Sequence, residues 1–308
     1  MTLALTTAEY ASSWRFSAQR ALDPEPLLVG RSVEQALELL PRVFNLCAAA
    51  HRAAAAAALG QVDAVREDAI HAETARDHGL ALFHGWPVLL GSKPDRAGLT
   101  LLAGGQASDV ARHVCGEDLS EFSESDLNSW LETGSEPAAH LLRDLRDRLD
   151  PAWGRAALAS VEVETLDVQP TDPRETTVLD RVRDVPVIRE LLMSEGPSLF
   201  VRLFARVVDL FCALSGRAAR PPFGRSRAGA GYAQAARGLL VHRAEARDGL
   251  ILAYRVHTPS AWNLAPDGLL ERMLAALPAR REAPMLAKLA ESAVNPCVPL
   301  TLQCAGEI

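Results

Sequence analysis

Two cysteines far apart along this 308-residue chain carry its clearest chemical promise. Cys47 precedes His51 by one helical turn, which puts both side chains on the same face of a helix. Cys297 follows Asn295-Pro296 near the C-terminus, where packing offers no evident reason for a thiol. Thiolates are soft ligands and suit soft transition metals. Each residue also has a plainer reading. A cysteine on an alanine-rich helix is, taken alone, more often a buried apolar residue. His51 beside it would then be a satisfied core histidine, and Arg237 a strand-start arginine paired with an acid. Cys115 and Cys212 read as structural, and Cys304 is a candidate third thiol.

Other chemistries fail on their residues. His71-Ala72-Glu73 together with Pro296-Cys297 echoes the zinc deaminase pattern, but that pattern needs a cysteine where Leu300 stands. Glu73 and His78 lie about 140° apart around a helix and make no local metal site. No phosphate-binding glycine loop of the Walker type is present.

The elements that must position these residues are mostly helical. Alanine and leucine dominate, and aromatics make up only 5%. Residues 32–59 carry Val33, Ala36, Leu37, Leu40 and Val43 at helical spacing behind a capping Ser32, with a kink or restart expected at Pro41. A second helix is expected over 61–82, another over 136–149, a strong one over 194–214, and two more over 266–277 and 284–293. The stretch 117–136 holds seven acids and no Lys or Arg, and reads as an irregular solvated segment with short helical pieces. Residues 160–188 read as extended or irregular. Residues 217–231, with Pro221, Pro222, Gly224, Gly229 and Gly231, read as a loop. Strands are expected over 238–247 and 250–257, flanking Asp248-Gly249, a favoured hairpin turn. The expectation is one α+β, mainly helical domain covering residues 1–308.

Composition narrows the function. Hydrophobic residues at 48% and charged residues at 23% give an ordinary globular balance. A net charge of −7 without a basic cluster argues against a nucleic-acid partner. Met1–Arg20 lacks the apolar core of a signal peptide. The most apolar stretch, Pro197–Leu214, contains Arg202, Arg206 and Asp209, so a buried helix is expected rather than a membrane span. Five scattered cysteines do not form a secreted disulfide framework, and the cytoplasm is the expected compartment.

Three separated pieces carry a family resemblance. Arg42-Val-Phe-Asn-Leu-Cys47, followed by His51, resembles the first metal motif of [NiFe]-hydrogenase large subunits, with Phe44 in place of the first cysteine and Asn45 in place of the glycine. Arg237-Gly-Leu-Leu-Val-His242, a hairpin, then Pro259-Ser-Ala-Trp-Asn263 resembles the family's Arg-Gly-x-Leu-x-His and Pro-(Thr/Ser)-x-Trp-Asn pieces. Asn295-Pro-Cys297-Val-Pro-Leu300-Thr-Leu-Gln303 resembles the terminal Asp-Pro-Cys-x-x-Cys-x-x-His, with Asn295, Leu300 and Gln303 substituted. Arg66, Glu73 and His78 keep a weaker family spacing. The chain is similar in this way to the large-subunit-like maturation proteins of the HupK/HoxV family.

The resemblance implies a truncated large-subunit-like fold with its β-hairpin at 238–257. Of the family's four nickel thiolates it leaves Cys47, at a bridging position, and Cys297, at a terminal one. It therefore implies no nickel and no hydrogenase activity of the chain's own. A transient Fe(CN)2(CO) unit, which brings its own ligands, remains a fitting cargo for Cys47 and Cys297. His51 would orient a sulfur, while Arg237 and Ser260 would donate to the diatomic ligands. The implied role is a scaffold or chaperone that passes this unit to the hydrogenase large-subunit precursor. Small hydrogenase chaperones and iron-site assembly proteins would be its other partners. The alternative is a metal-free assembly factor that only binds protein. Only Cys304–Ile308 follow Gln303, too few residues for a precursor's processing tail.

Overall fold

The computed structural model describes residues 14–19, 22–163, 166 and 173–304. Most of the stretch read for a signal peptide, residues 305–308 of the tail, and residues 164–165 and 167–172 of the expected irregular stretch lie outside these. The elements that bear on the site run in chain order as follows. First come β1 (Trp14–Ala18), α1 (Val33–Val43), α2 (Ala48–Leu59), α3 (Glu67–Leu80), α4 (Glu124–Thr133) and α5 (Leu199–Leu214). Then follow β2 (Phe223–Arg225), β3 (Gly231–Ala235), β4 (Gly238–Arg247), β5 (Leu250–His257), α6 (Pro259–Asn263), α7 (Ala283–Val294) and β6 (Leu300–Cys304).

The α5 sequence is apolar around most of its circumference, with Arg202, Arg206 and Asp209 on one face, so the helix can only be stable inside the molecule. Every residue from Leu199 to Ala213 is buried. Its start is fixed by Ser198, whose hydroxyl accepts the Val201 amide at 3.2 Å. α3 and α7 pack against it. Each fully buried Leu or Phe contributes about 1.5–3 kcal/mol. The charges on α5 are buried as well, and each has partners. Arg202 pairs with Glu175, Arg206 with Asp77 at 2.9 Å, and Asp209 receives Arg181 Nε at 2.9 Å and faces His78 Nε2 at 2.8 Å. Among the described residues no helix is long and apolar enough to cross a membrane.

The second half is an antiparallel sheet of four strands in the order β2-β3-β4-β5. α2 lies across β3 and β4, and its alanines 53–58 are all buried. Small side chains permit this closeness. At Gly231 even a Cβ would overlap the Ala54 carbonyl oxygen and the Ala58 amide. The expected hairpin is present with its expected bounds. Asp248 and Gly249 take positive φ (52° and 79°), the turn geometry their residue types favour. A bulge opposite Glu245 and Ala246 leaves Leu252 without a register partner. It shifts the strand's phase, so that Ile251 and Tyr254 are both buried.

A separate two-stranded ribbon joins the ends: β1 pairs antiparallel with β6, Trp14 opposite Cys304 and Ala18 opposite Leu300. Such a ribbon is marginal alone. It is held by Trp14, Phe16, Leu300 and Leu302, which lean on the main core.

Four expectations are corrected. The acidic segment 117–136 is not an irregular loop, because α4 fills its centre behind a capping box of Ser123 and Asp126. The acids face outward while Leu127, Trp130 and Leu131 are buried at helical spacing. The loop expected over 217–231 contains β2 and the first residue of β3, since Gly224 and Gly231 serve close strand and helix packing while Gly229, at a φ of 84°, makes the turn between the two strands. The helix expected over 32–59 breaks not at Pro41, which lies inside α1, but at Phe44, with a 3-10 turn over Asn45–Cys47. The last helical region starts at Leu269 rather than Pro266.

Candidate functional site

That break between α1 and α2 sets the first sulfur. Cys47 stands immediately before α2 and is only 6% exposed. Its thiol does not cap the helix. Glu73, reaching across from α3, accepts the Ala49 and Ala50 amides at 2.8 and 3.3 Å and takes over that role. Burial pushes the Cys47 thiol up to about 12, against the opposing pull of the Arg237 charge. A metal taken up here must displace the thiol proton.

The second sulfur follows α7. That helix ends on Asn295 in the left-handed region (φ 52°), and its side-chain amide donates to Asp77 Oδ1 at 2.7 Å. Cys297 follows two residues later. Ser260, on α6, accepts the Cys297 amide at 2.8 Å and lies 3.0 Å from its sulfur. With its oxygen already accepting, the serine hydroxyl is free to donate to a Cys297 thiolate. Ser260 therefore touches the sulfur itself.

Both cysteines line one cavity of about 250 Å³, with His51, Arg237, Phe44 and Val298 among its other walls. Pockets for drug-sized ligands start at roughly 300 Å³, so this one suits a group of few atoms. Arg237 is steered into the wall by two bonds, to the Pro296 carbonyl at 2.7 Å and to Asp77 Oδ2 at 3.1 Å. Its Nε–H is buried and has no acceptor among the described residues. Gly238 must follow Arg237, because its φ of 120° and its closeness to the Thr176 carbonyl exclude a side chain.

Asp77 was not singled out by sequence, yet it ties Arg237, Arg206 and Asn295 together. Burial opposes its ionisation, but the His78 hydrogen bond and the charges of Arg206 and Arg237 outweigh that and hold it well below the usual carboxylate range. Its neighbour His78, noted for spacing, serves the buried α5 network instead. Arg66 is exposed and pairs with Asp68, outside the site.

His51 borders the cavity, and its ring is held on two sides. Phe44 stacks flat on its ring, with centroids 4.1 Å apart and planes 5° apart. Its Nδ1 faces His242 Nε2 at 3.0 Å, and His242 Nδ1 faces the Tyr254 hydroxyl at 2.6 Å. Burial lowers His51 to about 3 and His242 well below its ordinary value, so both rings are neutral near pH 7. His242 belonged to a recognisable motif, but nothing in the sequence signalled Tyr254. Cys304 sits opposite Trp14 in the ribbon and is not in the cavity wall. Trp262 is a buried packing residue against His257. Among the described residues no three or more His, Cys, Asp or Glu side chains converge as a metal site. A metal held here by the two sulfurs must bring further ligands of its own.

Comparison with known proteins adds to this geometry. No family model matches the chain. It is 35% identical to "Hydrogenase expression/formation protein HupK" of Rhodobacter capsulatus over 300 residues, covering 91% of this chain and 90% of the relative. It is 28% identical to "Hydrogenase expression/formation protein HoxV" of Cupriavidus necator, covering 92% and 91%. Among solved structures it superposes on an NAD+-reducing [NiFe]-hydrogenase in the H2-reduced state with a TM-score of 0.56, covering 89% of both chains at 15% identity. At that identity the likeness establishes the fold, which is that of [NiFe]-hydrogenase large subunits.

Proposed function

The chain belongs to the HupK/HoxV family of hydrogenase expression/formation proteins, and we propose that within hydrogenase formation it is a scaffold that transiently carries the Fe(CN)2(CO) unit and hands it to the large-subunit precursor. The observation that carries this reading is the shared cavity. Two sulfurs 250 positions apart in sequence, Cys47 and Cys297, border one small space. Phe44 and Leu300 stand where further thiolates would be needed for nickel. An iron unit with three diatomic ligands needs few from the protein, which matches a two-sulfur wall. Arg237 supplies a guanidinium beside it, suited to the nitrogen end of cyanide.

In this reading the iron unit is cargo, and no step of hydrogen turnover occurs on the chain. Uptake forms two iron–sulfur bonds and releases two thiol protons. Ser260 holds the Cys297 sulfur by hydrogen bonding, while Arg237 and the apolar face of Phe44 surround the diatomic groups. Small hydrogenase chaperones and the iron-site assembly proteins would act as donors, in the cytoplasm. Leu22 and Leu46, which border the cavity and are 54% and 49% exposed, offer apolar surface for such contacts.

Infrared spectroscopy of protein purified anaerobically from cells with the assembly machinery tests this. Cyanide and carbon monoxide bands are expected, and both Cys47→Ala and Cys297→Ala should abolish them. Absence of the bands would leave a metal-free, protein-binding assembly factor. Stoichiometric nickel with dihydrogen oxidation would overturn both readings.

A further inference from the structure

A buried hydrogen-bond chain runs from the cavity wall into the sheet, and iron carriage alone gives it no task. It joins Tyr254 on β5, His242 on β4 and His51 on α2, with contacts of 2.6 and 3.0 Å. Tyr254 and His242 have no exposed surface at all. Each contact holds one hydrogen, so the direction of one fixes the next. If the tyrosine hydroxyl donates to His242 Nδ1, a neutral His242 must carry its hydrogen on Nε2 and donate to His51 Nδ1. A neutral His51 then carries its own hydrogen on Nε2.

The opposite direction is disfavoured. It would turn the tyrosine oxygen into an acceptor and leave its hydrogen without a partner. Among the described residues His242 is the one hydrogen-bond partner of that hydroxyl. A buried donor without an acceptor is costly, and folded proteins avoid it. The flat stack of Phe44 on His51 holds the ring against turning.

We propose that Tyr254 and His242 are positioning residues that lock His51 in its Nε2–H tautomer. The cavity beside Cys47 is thereby offered a neutral N–H donor instead of a nitrogen lone pair. Such a wall favours an acceptor-bearing group, a thiolate or the nitrogen end of a small anion such as cyanide, and disfavours His51 as a metal ligand. The identity of that acceptor rests on the carrier reading; the tautomer does not.

Long-range proton–nitrogen NMR of the 15N-labelled, metal-free protein at pH 7 reads the tautomer of each ring. The ring stacked on Phe44 is identified by its nuclear Overhauser contacts, so the wild-type measurement needs no variant. His51 and His242 should both carry hydrogen on Nε2. Tyr254→Phe, which removes only the hydroxyl oxygen, should shift His51 to a mixture containing the Nδ1–H form. Hydrogen on Nδ1 of His51 in the wild type, a doubly protonated His51, or an unchanged His51 in a folded Tyr254→Phe variant would each overturn the proposal. Failure of the infrared test would leave this result standing.

Discussion

The two walls of the cavity are built by opposite means. Cys47 is deeply buried at the start of a helix laid flat against a sheet, and the first turn of that helix is held by a carboxylate from a neighbouring helix. Cys297 is half-buried, between a left-handed helix end and a two-stranded ribbon, and its hydrogen bonds come from one serine. Asp77 is the principal link between the two sides, gripping Asn295 and Arg237 at once. One sulfur is therefore set deep in packed structure, and the other stands nearer the surface beyond a helix end. For the carrier proposed above, such inequality would ease release, because a group gripped equally from both sides is hard to give away.

The strongest way to break this contrast is to cut the link. Asp77→Ala leaves Arg206 and Arg237 with an uncompensated buried charge and should cost about 3–5 kcal/mol. Chemical denaturation should show the loss. A loss below about 1 kcal/mol would mean that the walls are tied by something other than Asp77.

Acid sharpens the contrast from the Cys47 side. His51 and His242 have folded-state values below their unfolded ones, so the unfolded chain binds more protons between pH 6.5 and about 3. Stability contributed by the neutral rings is fully present above pH 6.5 and falls as the pH drops. The slope is about 1.4 kcal/mol per pH unit for each ring. Tyr254→Phe keeps this slope, whereas His242→Gln should remove one ring's share of it, with His51 and the likewise buried His257, lowered to about 4, retaining theirs. Thermal unfolding across pH 4–7 measures it.

The smallest change in stability belongs to the ribbon. Leu302→Ser loosens β6 and should cost only about 1–2 kcal/mol. Its effect on chemistry should be larger. In the wild type a thiol-alkylating reagent should modify Cys297 well before Cys47, and the variant should widen that gap. Equal rates at the two cysteines would remove the distinction between the deep sulfur and the accessible one.

Much of this was legible in the sequence because local chemistry dictated it. Asp248-Gly249 between two alternating runs can scarcely be other than a hairpin, and Cys297 stands out as a thiol without a packing reason, whereas Cys47 gains its reading only from the motif around it. The length of α4 is signalled only by the spacing of Leu127, Trp130 and Leu131, which the seven acids of the segment outnumber. Asp77 and Tyr254 were missed for a different reason. Their importance lies in partners 129 to 218 positions away for Asp77, and in a burial for Tyr254 that a bulge at Leu252 decides. No local pattern encodes either.

The ribbon has one more consequence, for the order of events at birth. The strand that seats Cys297 docks on residues 14–18, which leave the ribosome early and have to wait for residues 300–304. Until then the far side of the pocket is missing and Cys47 faces a half-built wall. For the carrier proposed above, a grip on the iron unit by both sulfurs would form only once residues 300–304 have paired with residues 14–18.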